Sequence, residues 1–89
     1  MAKIVEVRPS DNFRLYVRYS DGLDGYIKME KMLKHKDYEC IRNEEEFKKV
    51  SVDPKTKDIV WKCGATMCKV ATYGMLKLIK EAKSLGLDY

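Results

Sequence analysis

The chain is poor in the residues that build catalytic centres. Its 89 residues include one histidine, three cysteines and two prolines, and its serines are limited to Ser10, Ser20, Ser51 and Ser84. A hydrolytic triad needs a serine or cysteine beside a histidine that a third group orients, and a single histidine leaves little material for one. Phosphate-binding motifs of the G-x-x-x-x-G-K-[ST] or G-x-G-x-x-G type are also missing. We therefore expect a protein that is not an enzyme and that uses no cofactor.

Long apolar runs are absent as well. No stretch approaches the ~20 apolar residues of a membrane helix, and the first residues lack the apolar segment of a signal peptide. An odd number of cysteines is not typical of a small secreted scaffold. These absences predict a cytoplasmic protein with reduced thiols and no membrane contact.

What is present is the composition of one small folded domain. Hydrophobic residues make up 45% of the chain and charged residues 36%, which is a globular balance. Eighteen Lys and Arg against fourteen Asp and Glu give a formal net charge of +4. That excess is too small to indicate a nucleic-acid partner by itself.

The N-terminal third predicts an antiparallel meander. Alternating apolar residues indicate a strand over 13–19. The Asp21-Gly22 pair comes next as a hairpin signal, and strands over 3–8 and 23–28 flank the central one. The outward positions of this sheet hold Arg14, Tyr16 and Arg18, with Tyr26 and Lys28 on the next strand.

The remainder predicts helices and a second hairpin. Helical spacing of apolar residues indicates helices over 29–36 and 70–85. Asn43 before three glutamates indicates a capped helix start, and strands over 50–52 and 59–62 form the hairpin. The predicted fold class is α+β: an antiparallel β-meander and a second β-hairpin, packed against short helices and a C-terminal helix. The predicted core comprises Val5, Val7, Phe13, Leu15, Val17, Ile27, Leu33, Phe47, Val50, Val52, Val60, Trp61, Leu76 and Ile79.

The order of these signals resembles the bacterial family called domain of unknown function 2442. The resemblance rests on Val7-x-Pro9, Phe13-x-Leu15-x-Val17-x-Tyr19, Asp21-Gly22 with Gly25 and Ile27, Phe47 with Val50 and Val52, and Ile59-Val60-Trp61-x-x-Gly64-Ala65. Family members commonly carry Pro-Asn where this chain has Lys62-Cys63. The resemblance runs to about Tyr73, so we divide the chain into a domain over 1–73 and a helical extension over 74–89.

The resemblance implies a compact α+β fold and no established enzyme activity. Members are often encoded beside another small protein, in pairs that look like toxin–antitoxin modules. We therefore expect a non-enzymatic interaction or regulatory protein, antitoxin-like, whose partner is the product of a neighbouring gene or a second copy of the chain. The two candidate contact surfaces are the sheet face and the C-terminal helix.

The sheet face also supports a rival hypothesis. Cationic and aromatic side chains that alternate on a sheet can stack and neutralise single-stranded nucleic acid, so Arg14, Tyr16, Arg18, Tyr26 and Lys28 are the candidate binding residues. Tyr and Arg are equally favoured on exposed strands for plain cross-strand packing. The alternative function is therefore a nucleic-acid-binding regulator.

A metal site is the weaker candidate. His35, Cys40, Cys63 and Cys68 provide one imidazole and three thiols, a ligand set that zinc accepts. Structural zinc sites usually use more closely spaced cysteine pairs, and the resembled family has no cysteines at these positions. We expect three small, half-buried thiols and a surface histidine instead.

Overall fold

Two three-stranded antiparallel sheets and two α-helices make up residues 2–86, the part of the chain that the computed structural model describes. The first sheet contains β1 (Ile4–Ser10), β2 (Arg14–Tyr19) and β3 (Asp24–Lys28), and the second contains β4 (Val50–Val52), β5 (Ile59–Trp61) and β6 (Thr66–Met67). The strands β1 and β4 lie against each other. The helices are α1 (Glu44–Phe47) and α2 (Lys69–Ser84). The predicted α+β class, meander and second hairpin are confirmed.

The turn between β2 and β3 forms where the sequence predicts it. Gly22 has a φ of 95°, a left-handed conformation that costs glycine little because it lacks a Cβ. The Asp21 carboxylate accepts a 3.0 Å hydrogen bond from the Leu23 N–H. This turn sets the pairing of β2 with β3, in which Tyr16 faces Tyr26.

A β-bulge in β1 reverses the side-chain direction that simple alternation predicts. Ile4 pairs with Tyr19 and Glu6 pairs with Arg18, so Val5 is the extra residue. Ile4 is therefore buried, whereas Val5 is 50% exposed. The prediction that Val5 belongs to the core is wrong, since the bulge makes Val5 the extra residue and leaves Ile4 facing the core.

Most other predicted core residues are placed as expected. Those that are buried are Leu15, Val17, Ile27, Leu33, Phe47, Trp61 and Leu76. Val7, Phe13, Val50, Val52 and Ile79 are partly buried against this cluster, and Val60 is partly exposed. The predicted core lacks Ile4, Tyr19, Met29, Ile41 and Ile59, all of which are buried.

The predicted helix over 29–36 does not form. The Met29 N–H bonds to the Phe13 carbonyl and so prolongs the sheet pairing. After it the chain makes a short 3-10 turn at Met32–Lys34, an extended step at His35, and a second 3-10 segment at Lys36–Ile41. The pairing of Met29 outweighs a weak local helical pattern.

The second sheet contains one more strand than the sequence indicates. Gly64, with a φ of 111°, turns the chain after β5, and the Trp61 N–H bonds to the Ala65 carbonyl. The chain then returns as β6 beside β5. Gly64 thus marks a turn rather than the end of the sheet.

Helix α2 packs on the inner face of the first sheet, as predicted for the C-terminal helix. Leu76 reaches β3 so closely that a Cβ on Gly25 would lie 3.2 Å from its Cδ2 atom. Leu78 and Leu85, which the sequence places in the apolar stripe, are exposed. The proposed boundary between residues 73 and 74 falls within this helix, and residues 87–89 of the extension lie outside the described residues.

Candidate binding surface

The pairing of the first sheet brings the five predicted binding residues onto one surface, which we call the outer face. Residues directly opposite in an antiparallel pair lie on the same side of the sheet. The register gives three rows across β1, β2 and β3. These rows are Ser10–Arg14–Lys28, Arg8–Tyr16–Tyr26 and Glu6–Arg18–Asp24.

An aromatic pair occupies the middle row. The Tyr16 and Tyr26 rings are 5.2 Å apart between centroids and tilted by 55°. The guanidinium of Arg8 lies 4.7 Å from the centre of the Tyr16 ring, within cation–π range. Tyr26 is 48% exposed, so the row leaves aromatic surface accessible.

The Glu6 carboxylate in the third row binds two arginines. Glu6 Oε1 accepts hydrogen bonds from Arg18 Nε at 3.2 Å and Nη2 at 3.1 Å, and Arg8 Nε lies 2.6 Å from Glu6 Oε2. One carboxylate thus neutralises two guanidinium groups in part. The positive charge of Arg18 and Arg8 is therefore less available to an anionic ligand than the sequence suggests.

Asp24 fixes the central tyrosine. The Tyr16 hydroxyl donates a 2.7 Å hydrogen bond to Asp24 Oδ2. This bond, more than the small burial and nearby charges, raises the pKa of Tyr16 above its ordinary value. Tyr16 therefore stays protonated as a donor and is held in place by this bond.

The outer face contains three charged residues that the sequence reasoning missed. Glu6 and Arg8 lie on β1, and Asp24 lies on β3. The signal was available in part, because extending the hairpin register backwards from Arg14 puts alternate residues of β1 on this face. The bulge at Val5 leaves these two positions unchanged, because it shifts only the residues before Glu6.

The residues of the weaker zinc candidate are not brought together. Cys40 and Cys63 form a disulfide with a Cα–Cα distance of 6.1 Å, so two of the four candidate ligands are used in a covalent bond. Cys68 is a free, exposed thiol, and His35 is exposed. Within residues 2–86 no group of three or more His, Cys, Asp or Glu could hold a metal ion. The expectation of reduced thiols is thus wrong for Cys40 and Cys63.

The three glutamates after Asn43 have a structural role. The Asn43 side chain accepts hydrogen bonds from the N–H groups of Glu45 and Glu46, at 2.8 and 3.4 Å. This is the predicted N-cap of α1, and the glutamates lie in its first turn, where negative charge is stabilised.

The buried Tyr19 also has a structural role. The Tyr19 hydroxyl donates a 2.6 Å hydrogen bond to the Lys69 carbonyl at the start of α2, and its ring packs edge-on against Tyr73 at 4.9 Å. Burial is the main cause that raises the pKa of Tyr19. This tyrosine remains neutral and ties the first sheet to α2.

No helix among the described residues is long and apolar enough to cross a membrane.

Comparison with protein-family models gives one match. The model of the family described as "Protein of unknown function (DUF2442)" matches residues 4–68, which is more than half of the chain. The match ends at Cys68, the residue before α2. Neither the curated proteins nor the solved structures give a match to this chain.

Proposed function

Because the chain belongs to the DUF2442 family, whose description names no activity, we propose its function from geometry: a non-enzymatic binding module that docks a protein partner on the outer face. The observation that carries the proposal is the row of Arg8, Tyr16 and Tyr26, stacked one after another across three strands. Tyr and Arg are enriched among residues that dominate binding energy at protein interfaces.

The row is held in place before binding. Asp24 holds the Tyr16 hydroxyl and Glu6 holds Arg8, so little side-chain entropy is lost when a partner arrives. Interfaces gain affinity when such ordering costs are small. The sheet beneath adds a rigid support, since Leu15 and Val17 on its other side are fully buried.

The charges of the outer face favour a protein over a nucleic acid. Two carboxylates, Glu6 and Asp24, share the face with Arg8, Arg14, Arg18 and Lys28, and a phosphate backbone would be repelled by both. The Arg14 end is basic and the Asp24 end is acidic. A partner with acidic residues facing Arg14 and a basic residue facing Asp24 complements this pattern.

We further propose that the partner is the product of a neighbouring gene, with this chain as the antitoxin-like member of a bacterial pair. That part of the proposal comes from the family resemblance and the lack of a catalytic constellation in the sequence. Cytoplasmic location remains a prediction. The redox state of Cys40 and Cys63 in intact cells provides a direct measurement that bears on it.

The test is co-purification with the neighbouring gene product, using two variants matched for exposure. Tyr26 is 48% exposed on the outer face and Leu78 is 52% exposed on α2. We expect Tyr26→Ala to weaken binding by tenfold or more, about 1.4 kcal/mol, and Leu78→Ala to leave it unchanged. Loss of binding with Leu78→Ala alone would place the contact on α2, the second surface predicted from the sequence. No co-purification at all would reject the two-protein proposal.

A second candidate function is supported by a different observation. Four lysines, Lys3, Lys55, Lys57 and Lys69, line a shallow pocket of about 360 Å³ with Ala2 and Thr56. None of them forms an ion pair with a carboxylate among residues 2–86. Asp53, in the same loop, accepts hydrogen bonds from the N–H groups of Lys55 and Thr56. We propose this lysine pocket, rather than the outer face, as the surface where a nucleic acid would bind.

Fluorescence anisotropy with a short single-stranded oligonucleotide tests the second candidate. Lys55→Glu with Lys57→Glu should abolish binding that is measurable at low salt, because phosphate contacts dominate such affinity. Lys80→Glu with Lys83→Glu on α2 is the control, since it changes net charge equally at another surface. Equal losses in both variants would indicate only a general charge effect, and absence of binding at low salt would reject this candidate.

A further inference from the structure

The disulfide joins two parts of the fold that have no strand pairing with each other. Cys40 lies in the 3-10 segment Lys36–Ile41, and Cys63 lies in the turn after β5. They are 23 residues apart. The bond therefore links the irregular connection between β3 and α1 to the second sheet.

Besides the disulfide, the middle of that connection is attached by one side-chain hydrogen bond and by the packing of Tyr38 and Cys40 against the core. The backbone hydrogen bonds of the 3-10 segments are local, such as Tyr38 N–H to His35 and Arg42 N–H to Glu39. One side-chain bond reaches the second sheet, from the Tyr38 hydroxyl to the Thr66 carbonyl at 3.1 Å. Ile41 anchors the end of the segment in the core, where it is fully buried.

We propose that the Cys40–Cys63 bond is a thiol-exchange site whose reduction releases the segment Lys36–Cys40 from the second sheet while the core stays folded. The released portion is bounded by Leu33 and Ile41, which are buried. The residues between them are largely charged and exposed. Their attachments are the disulfide, the Tyr38–Thr66 bond and the packing of the half-buried Tyr38 and Cys40 against the core.

The exposure of the two cysteines decides which sulfur the reductant attacks first. Cys63 is exposed and Cys40 is half-buried, so the thiolate of a small dithiol reductant reaches Cys63 Sγ. A new S–S bond forms between reductant and Cys63, and the Cys40 sulfur leaves as a thiolate and takes up a proton. The second thiol of the reductant then attacks this mixed disulfide and releases Cys63. Two electrons and two protons pass from the dithiol to the protein.

Cys68 is not one of the two bonded cysteines. It lies at the N-terminal end of α2 as a free, exposed thiol, on the far side of β6 from the turn that holds Cys63. Replacing it therefore removes a competing thiol without touching the bond. Cys68→Ser is the background in which the proposal is tested.

The experiment is hydrogen exchange detected by mass spectrometry on the full chain, in oxidised form and after treatment with dithiothreitol. We expect exchange in peptides covering residues 36–40 to accelerate by about tenfold or more, because the segment loses its covalent attachment to the second sheet. Peptides from β2 and β5 should accelerate less than these.

Two variants remove the disulfide without any reductant. Cys40→Ser and Cys63→Ser, each with Cys68→Ser, should reproduce the reduced pattern without reductant. With glutathione disulfide, the Cys40→Ser protein should form a mixed disulfide at Cys63 rapidly, and the Cys63→Ser protein should form one at Cys40 more slowly.

Four results would overturn the proposal. The first is an intact mass showing free thiols under oxidising conditions, and the second is unchanged exchange at residues 36–40 after reduction. Acceleration throughout β2 and β5 as large as that at residues 36–40 would show that the bond holds the whole fold rather than one segment. Faster glutathionylation of Cys40 than of Cys63 would contradict the proposed order of attack.

Discussion

The indole N–H of Trp61 donates a 3.0 Å hydrogen bond to the carbonyl of Phe47. Both side chains are buried, and their ring centroids are 6.1 Å apart. This bond ties β5 to the end of α1, so the one tryptophan of the chain connects the second sheet to the helix that precedes it. The sequence places this tryptophan in the predicted core, and the fold gives its N–H an acceptor from the backbone.

Replacing this tryptophan should therefore lower the free energy of unfolding by more than the loss of buried apolar area alone would. Trp61→Phe leaves the Phe47 carbonyl without its donor and opens a small cavity. We expect the free energy of unfolding to fall by about 2–3 kcal/mol, measured by urea denaturation. A loss below about 0.5 kcal/mol would mean that the bond contributes nothing beyond ordinary surface contacts.

Two glycines provide opposite tests of the packing of α2. Gly25 faces Leu76, and a Cβ there would be 3.2 Å from Leu76 Cδ2, whereas Gly74 has open space around it. Gly25→Val should destabilise the protein by about 1–3 kcal/mol through overpacking. Gly74→Ala should stabilise it by about 0.5–1 kcal/mol, because glycine is a poor helix former. Thermal unfolding of both variants checks the pair, and destabilisation by Gly74→Ala would contradict the exposed position.

The bulge in β1 predicts unequal sensitivity at two adjacent residues. Ile4 is buried and Val5 is half-exposed. Ile4→Ala should lower the free energy of unfolding by about 2–5 kcal/mol, whereas Val5→Ala should change it by less than about 0.5 kcal/mol. A larger loss at Val5 than at Ile4, measured by denaturant unfolding, would mean that β1 alternates without a bulge.

The pair of Asp21 and Tyr73 predicts a dependence on pH. The Tyr73 hydroxyl donates a 2.6 Å hydrogen bond to Asp21 Oδ2. This bond, with a second one from the Leu23 N–H, holds the pKa of Asp21 below its ordinary value. A carboxyl whose pKa is lowered by folding stabilises the protein above its unfolded pKa of about 4, and that contribution is lost as pH falls through the folded pKa.

Tyr73→Phe should therefore be less stable than the parent near pH 7, and the difference should shrink below about pH 4. Thermal unfolding from about pH 2.5 to 7 measures it. Tyr38→Phe is the control, because the Tyr38 hydroxyl bonds to a backbone carbonyl and not to a carboxylate. A stability difference for Tyr73→Phe that is constant with pH would contradict the role of Asp21.

Much of the candidate site could be predicted because it depends on local rules. Strand alternation put Arg14, Tyr16 and Arg18 on one side of β2, and the Asp21-Gly22 turn fixed which residues of β3 stand opposite them. The carboxylates of Glu6 and Asp24 escaped prediction. Their effect comes from contact across strands, and a net charge summed along the chain does not reveal which charges are neighbours.

Local patterns in the chain were enough to establish the meander, its turn, the cap at Asn43 and the amphipathic C-terminal helix, because each depends on residues within a few positions of one another. The bulge at Val5, the third strand of the second sheet and the pairing of Cys40 with Cys63 emerged only from the folded arrangement. These features depend on which distant segments meet. The spacing of residues along the chain does not reveal which segments meet, because their contacts are set by how both sheets and α2 pack around one core.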